Sequence, residues 1–106
     1  MAKQCDIIIP FHNGLNYRHD CIESVLRNTH YPYRLLLIND ASDEDTTQKI
    51  LKYVKKYSHI QMYINIKKLG YLKSCNIGIK MSKAPYVVIL NSDTYVLPFW
   101  LIRHCL

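Results

Sequence analysis

The sequence predicts an α/β protein, a three-layer α/β/α sandwich built on a mostly parallel sheet. Three observations predict it. Apolar runs of strand length alternate with amphipathic segments at helical spacing, and the alternation repeats four times. The intervening loops are short, which favours parallel strands, helices on both faces and right-handed crossovers. Polar residues gather directly after three of the runs, where a parallel sheet brings strand ends to one edge. In open sheets of this kind the ligand crevice lies at the carboxyl ends of the strands.

Each element has its own signal. Residues 5–9 read as the first strand. Residues 17–29 follow as a helix, with Ile22, Val25, Leu26 and Thr29 at helical spacing. Residues 34–38 form a second apolar strand. Ser42 is placed to cap the next helix, with Asp45 three residues on as a near capping box. Ile50, Leu51, Val54 and Tyr57 mark that helix's apolar face. Residues 59–65 alternate Ile60, Met62 and Ile64 with polar neighbours, the pattern of a half-exposed edge strand. Gly70 introduces a third helix, whose buried side is expected to carry Leu72, Cys75 and Ile79. Residues 86–90 (Tyr86-Val87-Val88-Ile89-Leu90) read as a buried fourth strand, and Pro98 is placed to open one more helix over 99–106.

The 106 residues amount to a single domain, and 49% hydrophobic content suits a globular chain. No apolar stretch approaches the roughly 20 residues that a membrane-spanning helix needs. Met1-Ala2-Lys3-Gln4 runs straight into the first strand, so no signal peptide is expected. Trp100-Leu101-Ile102 continues an apolar helical pattern with nothing after it to pack against. The domain over 1–106 is therefore expected to be an incomplete one. Phe99, Trp100, Leu101 and Ile102 are expected to lack partners and to favour a homo-oligomer.

Cys5, Cys21, Cys75 and Cys105 form no C-x-x-C pair, which argues against zinc and for reduced core thiols in a cytoplasmic protein. The net charge is +6, with lysines at 49, 52, 55 and 56 and again at 67, 68, 73, 80 and 83. Such a surface attracts nucleic acid, anionic lipid or phosphorylated ligands. Lys49, Lys52 and Lys56 also fall on the polar side of an amphipathic pattern, where a solvated helix face explains them. No aromatic–basic RNA-binding motif is present, so nucleic acid is not an expected partner.

The polar clusters carry the functional reading. The first strand ends in Pro10-Phe11-His12-Asn13-Gly14, the second in Asn39-Asp40-Ala41-Ser42-Asp43, and the fourth in Asn91-Ser92-Asp93-Thr94. A further cluster, from Lys68 to Gly78, surrounds a loop-to-helix start, where free N–H groups favour anions. Taken singly, Asp40 and Asp43 read as turn or cap residues, Asn76 as an exposed helix residue and His12 as a loop histidine. Asp93 is different, because a carboxylate at the end of an apolar strand is costly unless something uses it. It is the first candidate for work on a ligand, through a metal ion. The five histidines show no metal-ligand spacing.

At these residues the chain resembles a nucleotide-sugar-dependent glycosyltransferase of family 2, with the GT-A fold. The resemblance spans about residues 4–102. It is carried by Ile7-Ile8-Ile9-Pro10-Phe11-His12-Asn13, by Leu37-Ile38-Asn39-Asp40-Ala41-Ser42-Asp43, by Gly70 with Asn76-Ile77-Gly78, and by Leu90-Asn91-Ser92-Asp93-Thr94. It implies that the turn Pro10, Phe11, His12 and Asn13 lines a nucleobase pocket. Asp40 would accept from a uracil or thymine N–H. The region of Asn76 would face the nucleotide-sugar. Asn91-Ser92-Asp93 stands where the family has its DxD motif, so Asp93 would hold Mn²⁺ or Mg²⁺ against the diphosphate oxygens.

Two residues depart from the family pattern. Asn91 replaces the first DxD aspartate, as in rhamnosyltransferase-like members, and removes a charge near the metal. Lys68 stands two residues before Gly70, where the family usually has Asn, and would contact phosphate. The resemblance implies an inverting transfer from a UDP- or dTDP-sugar to a hydroxyl of a glycan or lipid-linked acceptor, in cell-surface polysaccharide synthesis. The enzyme would work in the cytoplasm, with peripheral association at the inner membrane face through lysines. The catalytic base is expected in a missing part, leaving this chain as the donor-binding half. The competing expectation is a non-catalytic nucleotide-binding or regulatory α/β module.

Overall fold

A computed structural model describes residues 4–101. Four strands, β1 (Cys5–Phe11), β2 (Tyr33–Asn39), β3 (Ile60–Ile64) and β4 (Tyr86–Ile89), alternate with three helices, α1 (Leu15–Asn28), α2 (Glu44–Lys56) and α3 (Tyr71–Met81). All pairings are parallel, and the strand order is β3-β2-β1-β4. The chain therefore winds outward from β1 to β3, then returns to place β4 on the other side of β1. Right-handed crossovers require the helices to change face when the winding direction reverses. Two separate cores show that change. Alternate β1 residues Cys5, Ile7, Ile9 and Phe11 pack with Cys21, Ile22 and Val25 of α1 and Ile50 of α2. On the opposite face Ile8 joins Leu36 and Ile38 of β2 beneath Ile77 and Met81 of α3.

The central strand β1 is buried along its whole length, yet it contains Pro10. A proline lacks the N–H that a central strand must donate. Leu90 N–H donates to Ile8 C=O at 2.9 Å, so the backbone groups of Ile8 face β4. Pro10 has the same parity and faces the same way. Pairing between β1 and β4 stops at Ile8 with Ile89, whereas pairing between β1 and β2 continues to Phe11 with Asn39. The missing N–H thus points into a gap where β4 has already left the sheet.

Several expectations are corrected. The cap of α2 is Asp43, whose carboxylate accepts from Thr46 N–H at 2.8 Å. Ser42 cannot serve, because its hydroxyl accepts from Asn13 N–H at 2.8 Å instead. In α3 the buried positions are Ser74, Cys75 and Gly78, while Leu72 and Ile79 are exposed. The helix lies so close to the sheet that small residues form the contact line. β4 is an edge strand with Tyr86, Val87 and Ile89 exposed, because it pairs only with β1 and no described helix covers its second face.

The segment after β4 folds back over α1. Val96 N–H donates to Ser24 Oγ at 3.2 Å, Asn28 Nδ2 to Val96 C=O at 2.8 Å, and Trp100 Nε1 to Thr29 Oγ1 at 2.9 Å. Trp100 and Leu101 are consequently buried in the α1 core, against the expectation that they lack partners, while Phe99 is exposed. Phe99 has φ 62° and is not helical. Ile102, Cys105 and the remainder of the expected helix over 99–106 lie outside the described residues. Cys21 and Cys75 are free, buried thiols, and Cys5 is buried as well. Among the described residues no helix is long and apolar enough to cross a membrane.

At the opposite end of the sheet, Asp6 is fully buried and held by Arg34 through Nε at 3.1 Å and Nη2 at 2.8 Å. Ser82, just past α3, adds its hydroxyl at 2.6 Å. This bidentate pair, with its third donor, ties β1, β2 and the end of α3 together, and nothing in the hydropathy pattern announced it.

Candidate functional site

The gap beside Pro10 opens into a cleft of about 240 Å³, lined by Pro10, Phe11, His12, Arg18, Asp40, Lys68, Tyr71, Ser74 and Ser92. It lies at the carboxyl ends of β1, β2 and β4, where the strand order reverses, the place at which open α/β sheets take ligands. Six residues singled out from the sequence therefore meet in one cleft: Pro10, Phe11, His12, Asp40, Lys68 and Ser92.

The cleft floor is braced by paired turns. Asn13 sits at φ 53° and Ala41 at φ 54°. Asn13 Oδ1 accepts from Asp43 N–H at 2.7 Å, which complements the bond from Asn13 N–H to Ser42. Asn39 Oδ1 accepts from Ser42 N–H at 2.9 Å, and its Nδ2 donates to Thr47 Oγ1 at 2.9 Å. Asn13 therefore joins the two turns and does not line the cleft. His12 Nδ1 lies 2.6 Å from the Asp40 carbonyl oxygen, and Nε2 lies 3.2 Å from Asn13 Nδ2. A carbonyl only accepts and an amide nitrogen only donates, so the neutral Nδ1–H tautomer satisfies both contacts.

Asp40 is 4% exposed and clamps the loop that leads into α3. Its Oδ1 accepts from Leu69 N–H at 2.8 Å and Asn65 Nδ2 at 3.0 Å, and its Oδ2 accepts from Gly70 N–H at 2.9 Å. Burial alone would raise its pKa, but the donors from Leu69, Asn65 and Gly70 outweigh that effect and hold the carboxyl below its usual range. Three of about four lone-pair directions are filled, which leaves room for one more donor on Oδ2. Gly70 has φ 95°, a conformation that lets its N–H turn toward Asp40. Asn65 also donates to Ser74 Oγ at 3.2 Å.

The turn after β4 forms the other wall. Tyr71 Oη donates to Asn91 Oδ1 at 2.9 Å, and Cys21 Sγ supports the Asn91 carbonyl from behind at 3.7 Å. Burial pushes the Cys21 thiol up to about 11, so it remains protonated. Ser92 is buried and Asp93 exposed. Asn76 is exposed and lies by helical spacing on the side of α3 away from Ser74 and Gly78, so it is not among the residues lining the cleft.

Among the described residues no group of three or more His, Cys, Asp or Glu side chains is arranged to hold a metal ion. The 91–93 turn offers hard oxygen donors only. Mg²⁺ and Mn²⁺ are commonly held by one or two carboxylates plus substrate phosphate oxygens, and this donor set fits that mode.

Arg18, Tyr71, Ser74 and Asn65 were not singled out from the sequence. A serine or arginine inside a helix carries no hydropathy signal of a site. For Arg18 a usable cue was Gly14 four residues earlier, since the Arg18 guanidinium occupies the space beside it.

Residues 6–104 match the model of the family described as Glycosyl transferase family 2. An uncharacterized glycosyltransferase of Rickettsia bellii is 39% identical over 99 residues, covering 88% of this chain but only 14% of the relative. Among solved structures, S. aureus TarS residues 1–349 in complex with UDP-GlcNAc superposes with a TM-score of 0.84 at 21% identity, covering 96% of this chain and 30% of that one. The mannosyltransferase PcManGT from Pyrobaculum calidifontis, in complex with GDP-Man and Mn²⁺, gives a TM-score of 0.80 at 14% identity, covering 90% and 29%. The architecture is that of the GT-A transferases. The chain spans less than a third of the length of these similar proteins, between 14% and 30%.

Proposed function

Because this chain belongs to glycosyl transferase family 2, we propose that its cleft binds the nucleotide-diphosphate sugar of a glycosyl transfer. The observation that carries the reading is convergence. Three strand ends and the α3 entry loop bring His12, Asp40, Lys68 and Ser92 to one cleft at the reversal of strand order. The base would lie against Pro10, Phe11 and His12. The free direction on Asp40 Oδ2 suits the N–H of a uracil or thymine imide, and so a UDP- or dTDP-sugar. Lys68 would meet phosphate. One similar structure holds UDP-GlcNAc and another GDP-Man with Mn²⁺, which supports the ligand class.

Asp93, with Asn91 and Ser92 beside it, would hold Mn²⁺ or Mg²⁺, which supplies Lewis-acid neutralisation of a leaving nucleoside diphosphate. The chain's own residues orient the base, clamp the loop at Leu69 and Gly70, and present cationic groups to the phosphates. The transfer would be an inverting displacement at the anomeric carbon by a hydroxyl of a glycan or lipid-linked acceptor, in cell-surface polysaccharide synthesis. No residue of the cleft is assigned as the base for that hydroxyl.

Calorimetric titration of UDP and dTDP, with and without Mn²⁺, on the wild type and on Asp93→Ala tests the reading. Mn²⁺ should tighten nucleotide binding in the wild type, and the metal-dependent gain should vanish in the variant. A folded wild type that binds neither nucleotide would sink the proposal. Binding without sugar transfer by a longer protein containing this chain would leave a nucleotide-binding module.

A further inference from the structure

Arg18 is a cation that the cleft encloses and leaves largely unused. It stands in the first turns of α1, with its backbone N–H on Gly14 C=O at 3.2 Å. A Cβ on Gly14 would come within 3.3 Å of the guanidinium carbon, and Gly14 has φ +71°, so close approach and backbone conformation both disfavour a side chain there. The guanidinium lies beside this turn, at the cleft wall.

A guanidinium presents five N–H donors in a rigid fork. Among the described residues its one hydrogen bond runs from Nη2 to His12 C=O at 3.3 Å. Its Nε is buried and has no hydrogen-bond partner. Neither ion pair among the described residues includes it. A buried donor left unmet is costly, and more so on a charged group. Because Arg18 lines the cleft, an oxyanion bound there suits its remaining N–H donors.

We propose that Arg18 binds the diphosphate of the donor nucleotide, opposite Lys68. The inference rests on the nucleotide-sugar reading above and adds a residue to it. The two cations reach the cleft from elements tied to opposite faces of the sheet, Arg18 from α1 and Lys68 from the loop entering α3. With Asn91 in place of a second carboxylate, the neighbouring turn would hold a metal through Asp93 alone, and so less tightly than a pair of aspartates would. Arg18 carries a permanent charge and retains part of the diphosphate affinity when metal is absent.

The test titrates UDP, uridine and inorganic pyrophosphate into the wild type, Arg18→Gln and Arg18→Lys, in chelator and in Mn²⁺. Arg18→Gln should weaken UDP and pyrophosphate roughly 10- to 100-fold in both conditions and leave uridine unchanged. Arg18→Lys should fall between, since it keeps the charge and loses the fork. If Arg18 only braced the His12 carbonyl, uridine and UDP would weaken alike, which overturns the proposal, as does unchanged UDP and pyrophosphate binding. Should Arg18→Gln fail to fold by circular dichroism, Arg18→Lys decides, and unaltered pyrophosphate affinity there counts against Arg18. Pyrophosphate binding without uridine or UDP binding would sink the nucleotide reading and retain the oxyanion site. UDP binding indifferent to both substitutions would sink Arg18 alone, and a wild type that binds none of the three sinks both.

Discussion

Tyr71 and Asn91 are joined across the cleft mouth by a 2.9 Å hydrogen bond from the tyrosine hydroxyl to the amide oxygen. One residue opens α3 and the other begins the turn after β4, so the contact links the two walls that a ligand would separate or rest against. Both residues are exposed. The bond therefore does little for global stability while it fixes the orientation of the 91–93 turn. Tyr71→Phe should leave the melting temperature almost unchanged and weaken Mn²⁺-dependent UDP binding by about 3- to 10-fold, the range of one neutral hydrogen bond. A large fall in melting temperature with unaltered affinity would assign the contact to stability.

Asp40 should make the entry loop of α3 sensitive to acid. Its folded pKa is depressed, so the stabilisation it gives is fully present above the unfolded value of about 3.9 and is lost as pH falls through the lower folded value. The protection factors of Leu69 and Gly70 against hydrogen exchange should therefore fall below about pH 4. Asp40→Asn sets an amide against N–H donors and should cost about 1–3 kcal/mol at neutral pH, measured by urea unfolding. In that variant the acid-dependent step in exchange should disappear.

Strand existence was legible in the sequence because β-branched runs report burial along the chain. Strand order was not, and so Tyr86–Ile89 read as buried although β4 stands at the edge. Helix faces failed for a related reason. Leu72 and Ile79 outweigh Ser74 and Gly78 on any hydropathy count, yet close approach of α3 to the sheet selects small residues. The cleft was legible where polar residues follow strands, at His12, Asp40 and Ser92. Arg18 and Tyr71 were not, because a charged or aromatic residue near a helix start reads as surface until the fold brings it to the cleft wall. Asp40 was visible as a candidate for the cleft but not as the clamp on Leu69 and Gly70, since those partners are backbone groups 29 and 30 positions away.

Arg34 and Asp6 form a pair whose two halves should behave unequally. Asp6 is fully buried and Arg34 is 29% exposed at the side chain. Arg34→Met strands a buried carboxylate and should cost about 3–5 kcal/mol, whereas the double change Asp6→Asn with Arg34→Met should cost less, because it leaves no unpaired charge. Denaturant unfolding of the two variants checks the order. A double variant less stable than Arg34→Met alone would contradict it.

Gly78 and Ile8 set the spacing between α3 and the sheet. A Cβ on Gly78 would lie 2.5 Å from Ile8 Cγ2 and 3.1 Å from its Cδ1, closer than real atoms approach. Ile8 is fully buried on β1, so the side chain has little space into which it can turn. In an open helix Gly→Ala gains about 1 kcal/mol, but overpacking a filled core costs about 1–3 kcal/mol. Gly78→Ala should therefore be neutral to destabilising by up to about 2 kcal/mol. Ile8→Ala removes the clashing carbons and destabilises by itself through the cavity it leaves. Combined with Gly78→Ala it should cost less than the two single changes together, with a coupling of about 0.5–3 kcal/mol. Strict additivity in the double-mutant cycle would mean that α3 has moved off the sheet to accept the methyl. Because Ser74 and Tyr71 ride on the same helix into the cleft wall, such a movement should also register as weaker nucleotide binding in Gly78→Ala alone.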